Sequence, residues 1–187
     1  DRYEPSYAGL LEQAQGAPLA EKGSEYALWN RNPDMKADGA VSLPLRTEWF
    51  PGWHVGVLRG GGADSKTSFY INGYAQGGHR HRDTLGIAYY AFGKEMMSDR
   101  GYMWDDPRNA WTSSTLAHNL VTVDGESQNT VNRHSTLELF AVSPVVEVIQ
   151  ASSNAYAQCD EYRRTAVLVK LPGGGDYLVD FFRVKGG

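Results

Sequence analysis

From about residue 46 onward, the sequence is a succession of short β-rich runs separated by turn-forming residues. The runs lie at residues 53–57, 68–74, 85–92, 119–123, 137–142, 145–150, 165–171 and 177–184. Glycine-containing turn sequences separate several of them, as at residues 60–62, 124–125 and 172–176. Many short strands without a helical pattern between them indicate an antiparallel β-sandwich or barrel. The sequence therefore predicts an all-β domain over residues 46–187.

Residues 1–45 have a different pattern. Apolar side chains recur there at helical spacing, at Tyr7, Leu10, Leu11 and Ala14. This spacing predicts a short helix over residues 5–14, and the turn formers of residues 30–39 predict a loop. We expect residues 1–45 to be a mostly irregular connector to a domain outside this sequence. Since the sequence stops directly after the strand-like run at 180–184, we also expect it to be a C-terminally incomplete fragment.

Charge and composition narrow the function classes. The chain has 187 residues and a formal net charge of −4, whereas a dedicated nucleic-acid binder normally carries a basic excess. No apolar run approaches the roughly 18 residues that a membrane span requires. Cys159 is the single cysteine, which excludes an internal disulfide and a cysteine-rich zinc site. We expect neither a nucleic-acid nor a membrane partner.

Histidines and carboxylates cluster in the middle of the sequence. His79 and His81 are two residues apart, so an extended strand would present both on one face, roughly 6–7 Å apart, with Asp83 on the same face. Asp99 and His118 follow. Imidazoles with one carboxylate suit a divalent ion such as Zn²⁺. An isolated His-x-His pair is, however, more often made of hydrogen-bonded surface or core residues, so both interpretations stay open.

The His-x-His-x-Asp pattern is similar to the metal signature of the metallo-β-lactamase-type hydrolases. In that signature a further histidine follows the aspartate, whereas Thr84 stands here. The strands before the motif also lack the alternating helices of that fold. A metal-dependent hydrolase is therefore the minor alternative.

An ordered set of motifs carries a stronger resemblance. In chain order they are Val57-Leu-Arg59, Gly78-His-Arg-His-Arg-Asp-Thr-Leu85, Ala91-Phe-Gly93, Ser98-Asp-Arg-Gly-Tyr102, Ser114-Thr-Leu-Ala-His-Asn-Leu-Val-Thr-Val-Asp-Gly125, Gln128, Arg163-Arg-Thr-Ala-Val-Leu168 and Asp180-Phe-Phe-Arg-Val-Lys-Gly-Gly187. This set resembles the C-terminal β-sandwich domain of the heparinase II/III-like polysaccharide lyases, over about residues 46–187. The resemblance implies an antiparallel β-sandwich that follows an N-terminal (α/α) toroid. An acidic polysaccharide would bind between the two domains and be cleaved by β-elimination at a uronic acid.

The resemblance also implies roles for individual residues. The implied metal ligands are His81, Asp99 and His118, usually to Zn²⁺, with another divalent ion such as Ca²⁺ left open. The implied catalytic residues are His79 and, as a candidate aromatic hydroxyl, Tyr102. Arg80 and Arg82, which flank His81, depart from the family motif, where a small residue commonly stands between the two histidines. Both arginines could pair with acidic neighbours or hold an anionic sugar chain, since a guanidinium matches carboxylate and sulfate. Trp104 is the further candidate for substrate binding. Asp83 and Asn119 are expected behind the ligands, where Asp83 would orient a histidine.

We therefore expect the metal-bearing part of a bacterial polysaccharide lyase, periplasmic or secreted, acting on a substrate such as a glycosaminoglycan or alginate. Its partners would be this acidic polysaccharide and the toroid of the same protein. The principal base and acid would lie on the toroid, so the isolated chain is expected to be inactive. The alternative from a different class is a non-catalytic carbohydrate-binding β-domain.

Overall fold

A computed structural model describes residues 6–16, 45–62, 66–73 and 81–187. The chain divides into two compact units, Asp1–Leu45 and Arg46–Gly187. The described part of the first unit contains helix α1, Ser6–Gln15, which confirms the predicted helix to within one residue at each end. The loop predicted at residues 30–39 lies outside the described residues. No helix in the described ranges is long and apolar enough to cross a membrane.

The second unit contains two antiparallel sheets, each with its strands in sequence order. The first sheet consists of β1 (Glu48–Phe50), β2 (Val55–Gly61), β3 (Lys66–Asn72), β4 (Ile87–Ala91) and β5 (Lys94–Met97). The second consists of β6 (Ser135–Val142), β7 (Val146–Ser153), β8 (Cys159–Lys170) and β9 (Asp176–Gly186). β2 of the first sheet contacts β7 and β8 of the second. The predicted antiparallel β fold is confirmed.

The core lies between the two sheets. Alternating burial along β8 shows how it forms, because every second residue from Tyr162 to Leu168 is buried. Tyr162, Ala166 and Leu168 share one cluster with Leu58 and Phe69 of the first sheet and Ile149 of β7. Burying each large apolar side chain stabilises the fold by roughly 1.5–3 kcal/mol. Along β8 this alternation directs the apolar face inward.

Residues 98–134 connect the two sheets and do not match the predicted strands. They contain the short helix α2 (Asn109–Thr112) and a 3₁₀ turn (Thr115–Ala117). The strand predicted over residues 119–123 is wrong, since only Val123 forms an isolated bridge, with Glu126. Side chains from β8 satisfy the carbonyls of this stretch instead. The Tyr162 hydroxyl donates to Val121 O at 2.7 Å, and Arg164 donates to Asn119 O at 2.5 Å.

The extended strand assumed around the histidine motif is also not observed in its described part. Residues 81–83 are irregular, and β4 begins only at Ile87. Leu85 has a φ of 70°, and Gly86 N donates to Asp83 O at 2.6 Å, so the chain turns before entering the sheet. A Cβ at residue 86 would lie 2.7 Å from Asp83 O, which explains the glycine there. The predicted strand at 53–57 likewise begins at Val55, after a turn.

Candidate metal centre

The structure brings the three predicted ligand residues together from separate segments. His81 Nδ1 lies 3.0 Å from His118 Nε2 and 3.2 Å from Asp99 Oδ2. His118 Nε2 lies 3.3 Å from the same Asp99 oxygen. A carboxylate oxygen of Asp83 joins them, so that one ligand atom from each of the four residues lies within 4.8 Å of the others. We call His81, Asp83, Asp99 and His118 the cluster.

The separations within the cluster are those of atoms that can share one ion. Ligands about 2.0–2.2 Å from a tetrahedral ion lie about 3.3–3.6 Å from each other. The distances that join His81, Asp99 and His118 are 3.0, 3.2 and 3.3 Å. A small opening of this triangle, by a few tenths of an ångström, would therefore accommodate an ion, and Asp83 or a solvent molecule could supply the remaining position.

The orientation of His118 leaves the correct nitrogen facing the cluster. His118 Nδ1 lies 2.7 Å from Ser114 O, and because a carbonyl oxygen only accepts, Nδ1 carries the proton. In the neutral ring, Nε2 then has the lone pair, and this is the atom next to Asp99 and His81. Ligand histidines are commonly fixed in this way by a hydrogen bond from the other ring nitrogen.

The pKa of Asp99 lies below that of an ordinary aspartate. Asp99 lies just after the end of β5, and its Oδ1 accepts from Gly101 N at 2.7 Å. The hydrogen bond from His118 is the largest influence on Asp99 and, with that from Gly101, lowers its pKa to about 2, against the opposing effect of burial. Burial lowers the pKa of His118, but the hydrogen bond to Asp99 and the charge of Asp83 outweigh it, so the net shift is upward.

Asp83 is the buried carboxylate of the cluster, with 7% of its surface exposed. Asn72, at the end of β3, donates from Nδ2 to Asp83 Oδ2 at 2.8 Å. Burial raises the pKa of Asp83, while the hydrogen bond from Asn72 and the nearby histidines oppose the rise. Tyr70, also on β3, is near both carboxylates. Burial raises the pKa of Tyr70 most, and the negative charges of Asp83 and Asp99 raise it further. The sequence did not single out Tyr70.

The segments that carry His81 and His118 are joined by their backbones. Arg82 N donates to Ser113 O at 2.9 Å, and the Thr115 hydroxyl donates to Arg82 O at 2.6 Å. Gln128 N donates to the Thr115 hydroxyl oxygen at 2.8 Å. The Gln128 side chain then binds the backbone of Thr84 on both sides, at 2.9 Å through Oε1 and 3.0 Å through Nε2. These bonds hold the two histidine-bearing segments in register.

Arg164 of β8 is a positioning residue that the sequence analysis did not identify. Its Nη1 donates to Leu85 O at 2.9 Å and to Asn119 O at 2.5 Å, one residue after His118. Its Nε and Nη2 bind both carboxylate oxygens of Asp180, at 2.8 and 2.6 Å. Only 4% of Arg164 is exposed. The available signal was an arginine at an inward position of an otherwise apolar alternation.

The remaining predicted site residues differ in how close they lie to the cluster. The Tyr102 ring is nearly parallel to that of His81, with 6.1 Å between centroids, and Trp104 packs on Tyr102 at 5.4 Å. Arg82 is exposed, and Asn119 meets Arg164 through its backbone carbonyl. His79 and Arg80 lie outside the described residues.

A comparison with known protein families identifies the family of this β-sandwich domain. A family described as Heparinase II/III-like, C-terminal, matches residues 44–179. The chain belongs to this family. The resemblance stated from the sequence motifs is therefore confirmed, and the heparinase-like domain contains the whole cluster and its supporting loops. No curated protein matches the chain significantly.

Solved structures of similar fold are larger proteins. The heparan sulfate lyase HepC from Pedobacter heparinus superposes with a TM-score of 0.67 at 13% identity, over 98% of this chain. A heparinase III gene product superposes with a TM-score of 0.68 at 19% identity, over 98% of this chain. At these identities the likeness shows the fold alone. The heparinase-like chain spans 28% of the length of each of these two proteins.

Proposed function

We propose that this chain is the metal-bearing β-sandwich part of a polysaccharide lyase that cleaves a uronic-acid-containing polysaccharide by β-elimination. The family membership supports a lyase relationship, and similar folds occur in proteins named as a heparan sulfate lyase and a heparinase III. The observation that carries the proposal is the convergence of His81, Asp99 and His118 within 3.3 Å of one another.

Zn²⁺ is the ion that this donor set fits best. Two imidazole nitrogens with one carboxylate oxygen suit Zn²⁺, whereas Ca²⁺ takes 6–8 oxygen ligands. His118 offers Nε2, His81 offers Nδ1 and Asp99 offers an ionised carboxylate. A bound ion would supply positive charge and tie three irregular segments together. Asp83 is proposed to support these ligands from its buried position beside them.

β-Elimination sets three tasks for the protein. The C5 proton of the uronic acid is removed, its electron pair forms the C4–C5 double bond, and the C4–O bond breaks, with a proton delivered to the leaving oxygen. The C5 carboxylate must be neutralised, and a base and an acid are required. No water is consumed. The ion is therefore proposed to organise the site and not to generate hydroxide.

The site residues are proposed to divide these tasks around the cluster. His79 is assigned to catalysis or carboxylate neutralisation by its motif. Tyr102 is assigned a candidate catalytic hydroxyl, which its ring position beside His81 supports. The proposed substrate contacts are Arg80, Arg82 and Trp104, and Asn119 is proposed to act from behind the ligands. The principal base and acid are proposed to lie on an N-terminal toroid, in a periplasmic or secreted bacterial enzyme.

Metal analysis of ligand variants tests this proposal. We expect the purified chain to bind Zn²⁺, and His118→Ala and Asp99→Asn each to lose at least tenfold in affinity, as the loss of a ligand should produce. His134→Ala is the matched control, because His134 is an exposed histidine outside the cluster. Equal Zn²⁺ affinity in all of these proteins would contradict the metal site.

The reaction class has a separate test. The protein that contains this chain together with its N-terminal domain should release products with the ultraviolet absorbance of a 4,5-unsaturated uronate. Saturated products whose formation depends on the metal would indicate hydrolysis instead. Binding of acidic polysaccharide without any cleavage would indicate a carbohydrate-binding module.

A further inference from the structure

A polar cavity of about 310 Å³ adjoins the loops that carry the cluster. Its lining includes Arg82, Ser113, Ser127, Asn129 and Thr130. Arg82 directly follows His81, and Ser113 directly precedes Ser114, whose carbonyl fixes the His118 ring. The backbones of Arg82 and Ser113 are hydrogen-bonded to each other at 2.9 Å. The cavity and the cluster therefore share a wall.

The described residues of the lining offer one cation and several uncommitted hydrogen-bonding groups. Within the described ranges, the Arg82 guanidinium makes no ion pair or hydrogen bond, and neither does the Thr130 hydroxyl. Ser127 Oγ accepts from Thr115 N at 3.3 Å and retains its own proton to donate. Ser113 donates to Asn109 O at 2.6 Å and retains acceptor capacity. The Gln128 amide, by contrast, is fully used by Thr84 and Tyr162.

These groups match the chemistry of one anionic sugar unit. A guanidinium binds a carboxylate or sulfate through paired N–H donors, and hydroxyl groups bind sugar hydroxyls in both directions. None of the described residues that line the cavity is acidic. Its volume is at the lower end of small-molecule sites, which begin near about 300 Å³. Because the chain as a whole carries −4, an anionic ligand needs a local cation such as Arg82.

We propose that this cavity is a subsite for an anionic sugar unit, with Arg82 binding its carboxylate or sulfate group. The identity of the polymer rests on the proposed function, but the anion selectivity rests on the cavity itself. Because of this shared wall, the sugar unit bound in the cavity is near, along the polysaccharide, to the sugar unit bound at the cluster. Arg82 thereby becomes a specificity residue for a sugar other than the one that reacts.

Substitution of Arg82 tests the subsite without disturbing the fold. Only the backbone atoms of Arg82 join the two histidine-bearing segments, so Arg82→Gln leaves those bonds in place. Affinity is measured by calorimetry for three tetrasaccharides: uronate-containing and sulfated, uronate-containing and unsulfated, and neutral. We expect Arg82→Gln to bind the acidic ligands about tenfold more weakly and the neutral ligand unchanged. The sulfated and unsulfated arms distinguish a sulfate from a carboxylate as the bound group.

Arg183→Gln is the matched control, because it makes the same change of charge on β9, at a side chain that is 68% exposed and does not line the cavity. Thr130→Val, which removes one hydroxyl and keeps the shape, should weaken the acidic and neutral ligands equally, by a few fold. Equal affinity of wild-type, Arg82→Gln and Arg183→Gln protein for the acidic ligands would overturn the subsite.

The two proposals fail in distinguishable ways. Unsaturated products from the full protein, combined with no effect of Arg82→Gln on affinity, would leave the lyase function standing and remove the subsite. Arg82-dependent binding without β-elimination would retain the subsite and remove the lyase function. Zn²⁺ content should be the same in Arg82→Gln and wild-type protein, since Arg82 contributes no ligand to the cluster.

Discussion

At the scale of single residues, Asp99 and His118 form the contact whose protonation matters most. The folded pKa of Asp99 is lowered from 3.8 to about 2, so its stabilising contribution is present above about pH 4 and is lost as the pH falls through 2. The folded pKa of His118 is raised above 6.5, so its contribution is present below 6.5 and is lost as the pH rises through the folded value. Both contributions coexist between about pH 4 and 6.5.

We therefore predict that, without metal, the contact stabilises the chain most in this mildly acidic interval. Thermal unfolding of metal-free wild-type and Asp99→Asn protein across about pH 3–8 would measure it as the difference in melting temperature. The difference should be largest between about pH 4 and 6.5 and should shrink on either side. A difference that is constant with pH would contradict the assigned pKa directions.

The same two residues show what can be read from sequence at this scale. The motif resemblance implied His81, Asp99 and His118 as the ligand set, and the structure brings these three side chains together. The partners that orient them were not accessible, since Ser114 acts through its carbonyl and every residue has one. Asp83 was expected behind the ligands, whereas its oxygen lies among them.

At the scale of elements, β8 supports the site through Arg164. This side chain joins the residue after His118 to the end of the His81 segment and to Asp180 on β9. The sequence predicted the strand but not the role of Arg164. The alternation of apolar residues along β8 indicates that Arg164 points inward, but it does not indicate which loop packs over Arg164. The strand prediction at 119–123 failed for a related reason. The apolar residues there belong to a loop, and its carbonyl groups are hydrogen-bonded by the Tyr162 and Arg164 side chains instead of by a neighbouring strand.

Arg164→Met should be strongly destabilising. It leaves two carbonyls and the partly exposed Asp180 without their partner, and each buried polar group left unsatisfied costs about 1–3 kcal/mol. Urea unfolding would measure this loss. Because the two histidine-bearing segments lose a common anchor, Zn²⁺ affinity should fall as well.

Arg183→Met provides the control for that experiment. Arg183 is on β9, where its side chain is 68% exposed and forms a surface ion pair with Glu161. Its replacement should cost no more than about 0.5 kcal/mol. If Arg164→Met unfolded at the same urea concentration as Arg183→Met, the anchoring role of Arg164 would be wrong.

At the scale of the whole molecule, Gly73 marks a close approach between the two sheets. It follows β3, and its carbonyl accepts from Ser135 N of β6 at 2.8 Å. A Cβ there would lie 1.8 Å from Ser135 Oγ and 2.4 Å from the carbonyl oxygen of His54. The β-rich pattern predicted two faces that pack together, but no local pattern identifies where their backbones come closest.

Gly73→Ala should therefore destabilise the sandwich by about 1–3 kcal/mol, since a backbone carbonyl must move to admit the methyl group. Gly52→Ala is the control, because a Cβ there meets nothing within 4 Å and residue 52 has no positive φ. Chemical denaturation of both variants would measure the difference, and equal stability would show that the sheets tolerate a wider separation.

The extent of the chain relative to its structural neighbours leads to the last prediction. It spans 28% of their length, and the described residues offer candidate metal ligands in the cluster and the Tyr102 ring beside it, whereas the principal base and acid are proposed to lie on an N-terminal domain. Binding energy from both sides of a cleft is also needed to orient a sugar for elimination. The isolated chain should therefore bind Zn²⁺ yet form no unsaturated product, whereas the protein with its N-terminal domain should form it. Turnover by the isolated chain would place the base within these 187 residues, with Tyr70 and Tyr102 as the first phenols to replace by phenylalanine.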